Sequence, residues 1–180
     1  SLFVCPSEID PSRIPTGSGH VTNYGFAAGD WYVWGGFNST RNRVAFGPNL
    51  SRRLAEFTDG LSQTIVCSEV KAKQPLLRDC GGLSLINSPD RIPPTDADPA
   101  VVAPEYQNGR CPPNIGHAEW SDGASHQSGV TFAWTPNRLT PGVSNGPKAD
   151  IDITGQREKV GGPTFAAITS RSYHPGGVNS

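Results

Sequence analysis

The chain has 180 residues, with 21 glycines, 17 prolines, a hydrophobic fraction of 35% and a formal net charge of −1 from 15 basic and 16 acidic residues. That length suits one domain, residues 1–180, with a core of its own, and a near-balanced charge without a long basic run gives no platform for nucleic acid. Glycine and proline together make up roughly a fifth of the chain; they break helices and favour turns, so the composition predicts an α+β, β-rich domain with a small antiparallel sheet, one short helix and long Pro/Gly-rich loops.

The first apolar run, Leu2-Phe3-Val4, stops at Cys5-Pro6, and residues 7–19 are polar and turn-rich. Val21 to Ala28 reads as a strand with a glycine irregularity, followed by aromatics set between glycines in GDWYVWGGF. This cluster is read as a satellite core under a loop, with an exposed tip as the alternative. Leu50, Leu54 and Phe57 recur at helical spacing in a stretch free of Pro and Gly, so residues 49–58 are the predicted helix, ended by Asp59-Gly60. Residues 62–70, rich in β-branched side chains, form the clearest predicted strand.

Residues 74–128 read as a loop-rich insertion, since 88–104 alone carry five prolines. Strands are predicted again over 130–134, 148–154 and 163–169, where apolar and polar positions alternate or β-branched residues cluster. The chain holds no methionine and begins SLFVCPSE, so it reads as a processed product. No apolar run is long enough to span a membrane.

Cysteines stand at 5, 67, 80 and 111, with no CxxC pair. An even number at wide spacing fits two disulfides in an oxidising compartment better than a zinc site. Of the possible pairings, Cys80–Cys111 and Cys5–Cys67 are preferred, each bridge worth about 2–4 kcal/mol.

Catalytic signals are sparse. His20, His117, His126 and His174 all lie in loop-like contexts, and no GxSxG elbow anchors a nucleophile. His117, Glu119, Asp122 and His126 are the sharpest metal constellation, a mixed set suited to zinc, although a solvated polar loop is the favoured reading. Asp150 and Asp152 alternate on one strand face, where two like charges are read as solvated. No cofactor and no resident metal are predicted; calcium on oxygens of Asp96 and Asp98 is kept as the exception.

Four segments in a fixed order carry a resemblance. They are Cys5-Pro6-Ser7-Glu8; Asn23-Tyr24 running to Gly29; Thr58-Asp59-Gly60 with Ser62 and Thr64, leading into a strand that ends at Glu69; and His174 with Gly176, Gly177 and Asn179. The set resembles a pilin-like, pseudopilin-type family expanded in planctomycetes and catalogued as a domain of unknown function. Its members carry a prepilin-type N-terminal helix that is cleaved and methylated. Against that pattern this chain lacks the N-terminal helix and the final C-terminal hairpin.

The resemblance implies an extracytoplasmic, secreted or cell-surface subunit of a pilus-like or type II secretion pseudopilus-like filament, and not an enzyme. Its partners would be copies of itself, other pilin-like subunits or a surface glycan, with membrane contact only through the missing helix. The boxes themselves read as structural: Asp59-Gly60 as a turn whose backbone the Ser62 and Thr64 hydroxyls satisfy, Asn23 and Tyr24 as a loop clamp, and Glu69 as an acceptor for the His174 loop. One rival is a secreted carbohydrate-binding module stacking sugars on Trp31, Tyr32, Trp34 and Trp120. The other is a secreted metal-dependent hydrolase built around His117 to His126.

Overall fold

A computed structural model describes residues 3–8, 20–36, 41–79, 90–143, 148–156, 158 and 163–180. Ten short strands are described: β1 (Tyr24–Gly29), β2 (Tyr32–Trp34), β3 (Cys67–Glu69), β4 (Gln74–Arg78), β5 (Pro113–Gly116), β6 (Gly129–Thr131), β7 (Pro141–Val143), β8 (Lys148–Asp150), β9 (Asp152–Thr154) and β10 (Thr164–Ala167). Helix among the described residues is limited to short pieces, among them the one-turn helices α1 (Pro99–Val102) and α2 (Ser125–Ser128) and 3-10 turns at Leu54–Glu56, Leu61–Gln63 and Pro104–Gln107. The β-rich α+β class therefore holds, with less helix than expected.

The sheets are mixed instead of antiparallel. A three-stranded sheet runs β3-β1-β6, a five-stranded sheet β2-β10-β9-β4-β5, and β7 pairs with β8. In the first two, β1 with β6 and β4 with β9 are parallel pairs. Parallel neighbours need a long crossover, and the irregular middle of the chain is what carries it. β4 and β5, both within that segment, pair with each other inside the larger sheet.

Local chemistry explains several details. Gly25 lets β1 approach β6, because a Cβ there would sit 2.7 Å from the Gly129 carbonyl oxygen. The aromatic cluster is core: Trp31 and Tyr32 are buried, and Trp31 meets Trp134 edge-on with ring centroids 4.7 Å apart. Tyr106 joins the same core and donates its hydroxyl to the Thr154 carbonyl at 3.0 Å.

The helix predicted over 49–58 is corrected to a single 3-10 turn at Leu54–Glu56, with Leu54 71% exposed. Leu54, the middle of the three apolar positions, stays in solvent, and a helix this short needs its apolar face packed. The strand predicted over 148–154 divides at Ile151 into β8 and β9, which lie in different sheets. Ile151 donates its backbone N–H to the Thr140 carbonyl, outside either ladder.

Arg171 is buried and binds both flanking carboxylates. Its Nε and Nη2 reach Asp150 at 2.8 and 3.0 Å, and its Nη1 pairs with Asp152. Asp152 is therefore buried and paired, which corrects the expectation of a solvated pair of like charges. Burial pushes its carboxyl up, against the pull of Arg171.

Candidate functional site

The N-terminal box folds as a turn, with the Glu8 backbone N–H donating to the Cys5 carbonyl at 3.0 Å and Pro6 and Ser7 between them. Asn23, at the start of β1, locks this turn in place. Its Oδ1 accepts from the Cys5 N–H at 3.1 Å, and its Nδ2 donates to Glu8 at 2.8 Å and to the Val70 carbonyl at 3.1 Å. Tyr24, the next residue, pairs in register with Glu69 across β1 and β3.

Glu69 points its carboxylate into the space beside this turn and is 2% exposed. The C-terminal box closes over it. The Asn179 backbone N–H donates to Oε2 at 2.9 Å, and Asn179 Nδ2 donates to Oε1 at 3.0 Å. His174 Nε2 lies 3.0 Å from the same Oε1. The loop carrying His174 is held by Ser172, whose hydroxyl donates to the Gly177 carbonyl and accepts from the His174 N–H at 3.1 Å. Gly176, at φ +88°, makes the turn that a side chain would strain.

Cys5 Sγ completes the cluster, 3.4 Å from Glu69 Oε1, 3.7 Å from His174 Nε2 and 2.9 Å from Ser7 Oγ. Ser7 Oγ is itself 3.0 Å from His174 Nε2. Cys5 and Glu69 are buried, whereas the His174 side chain is 38% exposed and opens the site to solvent. Burial alone would raise the pKa of Glu69, but the hydrogen bonds from Asn179 and Cys5 and the nearby His174 hold it below the usual carboxylate range. The adjoining cavity is only about 10 Å³, room for one water or one ion.

Asp59, Gly60, Ser62 and Thr64 lie apart from this cluster. They form the expected turn, with Gly60 at φ +87° and the Thr64 hydroxyl donating to the Gly60 carbonyl at 3.2 Å. The expected Cys5–Cys67 disulfide is corrected: both are free thiols, with Cys5 turned toward Glu69 and His174. In the other expected bridge Cys111 is buried, and Cys80 lies outside the described residues.

His117, Glu119, Asp122 and His126 do not converge on a common point. His117 is fully buried, places Nδ1 3.1 Å from the Gln127 carbonyl oxygen, and is kept neutral by burial, which lowers its pKa to about 4. His126 Nε2 lies 3.0 Å from Arg78 Nη1, and Asp122 accepts from the Ala124 N–H in a local turn. Asp98 caps α1 by accepting from the Ala100 N–H at 2.9 Å, and Asp96 is exposed without joining it in a cluster. Among the described residues the convergent group of ligand-type side chains is Cys5, Glu69 and His174.

The aromatics of the rival sugar platform do not share one exposed face. Trp31 and Tyr32 are core, while Trp120, 45% exposed, stacks on Phe3 with centroids 5.2 Å apart. A separate groove of about 600 Å³, mostly apolar, is walled by Phe26, Val33 and Phe46 and shares no residue with the cluster. Sequence reasoning had quoted Ser7 within its box and set Glu69 against the His174 loop. It missed the Arg171 knot, for which a lone arginine in a polar stretch gives no signal.

One family model matches the chain, over residues 1–180, and its family is described as a protein of unknown function (DUF1559). No curated protein and no solved structure matches.

Proposed function

The chain belongs to this family, and from that premise we propose that it is a non-catalytic structural subunit of an extracytoplasmic pilus-like or type II secretion pseudopilus-like assembly. The observation that carries the reading is the clasp. Boxes at 5–8, 23–24 and 172–179 close on Glu69, and the space beside them is about 10 Å³. An organic substrate does not fit there. These hydrogen bonds tie residues 5–8 and 172–179 to the strand that ends at Glu69, which suits a scaffold.

The polar groups also lack the division of labour of a nucleophilic triad. There, an acid holds one ring nitrogen while the other takes the proton of the nucleophile. Here Glu69, Cys5 and Ser7 all face His174 Nε2. The test is electron microscopy of the full-length gene product in a host that has a prepilin peptidase and assembly machinery. Filaments or pseudopilus-like particles outside the cytoplasm are expected. A uniformly monomeric or cytoplasmic product would overturn the reading.

A further inference from the structure

We propose that Cys5, Glu69 and His174 bind one divalent cation of the zinc class, which would close the clasp. This goes beyond the assembly reading and stands or falls without it. The first argument is geometric. A tetrahedral zinc with sulfur at about 2.3 Å, nitrogen at about 2.0–2.1 Å and oxygen at about 2.0–2.2 Å sets ligand separations of roughly 3.6 Å for sulfur–nitrogen and sulfur–oxygen, and roughly 3.4 Å for nitrogen–oxygen. The observed separations are 3.7, 3.4 and 3.0 Å. A small outward shift of His174, the exposed member, brings the shortest to that value.

The second argument is chemical. One ring nitrogen faces a thiol, a hydroxyl and a carboxylate oxygen together, and a single N–H cannot serve all of them. A cation at their centre engages the three ligands at once. Thiolate and carboxylate neutralise its charge, as burial requires, and thiolate with imidazole selects zinc over calcium or magnesium.

The third argument is support behind the ligands. Asn179 donates to both oxygens of Glu69, and Asn23 fixes the Cys5 backbone. Such outer contacts orient ligands before an ion arrives. The exposed side of His174 offers access, with water or Ser7 Oγ for the fourth position.

The test uses the full chain, reduced and freed of metal, titrated with Zn²⁺ by calorimetry and with Co²⁺ by absorption. One equivalent is expected, with the visible bands of tetrahedral cobalt and a near-ultraviolet thiolate-to-cobalt band. Cys5→Ala should abolish the thiolate band, and Cys67→Ala, which removes the other free thiol among the described residues, should leave it unchanged. Should Cys5→Ala fail to fold, His174→Ala carries the comparison through loss of the tetrahedral bands. The proposal is overturned if the wild-type chain takes up no stoichiometric metal, if its cobalt spectrum is octahedral without a thiolate band, or if the band disappears in Cys67→Ala.

Discussion

Glu69 accepts from the backbone and side chain of Asn179, and its Oε1 also faces His174 Nε2 and the Cys5 thiol. In Glu69→Gln one oxygen becomes a donor facing donors, and the charge that strengthens these bonds is gone. The expected loss is about 2–3 kcal/mol in urea unfolding at neutral pH. The sign of the pH effect follows from the lowered pKa. Because the folded value lies below the unfolded one of about 4.3, the stabilisation is full above the unfolded pKa and fades as pH falls through the folded one. The gap between wild type and Glu69→Gln should therefore close in acid, and a gap independent of pH would contradict this account. Asn179→Ala removes one supporting donor and should weaken Zn²⁺ binding roughly 10- to 100-fold by calorimetry. At this scale the sequence was informative about identity: the boxes held the residues, and the pairing of Glu69 with the His174 loop was legible. That Cys5 turns to this pair instead of to Cys67 was not, because spacing carries no direction for a side chain.

Strands were easier to read than the helix. β1, β3, β6 and β10 all fall within or beside predicted stretches, because β-branched and apolar residues mark half-buried strands wherever they pair. The 49–58 stretch had a helical period, yet Leu54 is left exposed, and periodicity cannot report whether a face is packed. Glycine shows the same dependence on context. Gly25→Ala would drive a methyl against the Gly129 carbonyl and wedge β1 from β6. A destabilisation of about 1–3 kcal/mol is expected in chemical denaturation. By contrast Gly60→Ala meets open space, and only its positive φ opposes the change.

For the molecule as a whole, two polar knots join distant parts of the chain. One is the clasp on Glu69; the other is Arg171 between Asp150 and Asp152. Removing the arginine leaves buried charge unpaired, so Arg171→Met should cost about 3–5 kcal/mol in urea unfolding. A chain ending at Arg171 should keep that second knot and lose the first. Hydrogen exchange should then show lost protection at the Glu69 amide, which donates to the Asn179 carbonyl. Protection unchanged there would mean the C-terminal box does not hold the clasp. By itself the sequence determined the β-rich class, the places of β1, β3, β6 and β10, the family boxes and the turn at Asp59-Gly60, because composition, residue shape and backbone preference act locally, whereas β4 and β5 lie in the stretch read as loop. Only the tertiary structure decided the parallel pairings, the free state of Cys5 and Cys67, and the meeting of residues 5, 69 and 174, because these depend on long crossovers and on which buried polar groups find partners.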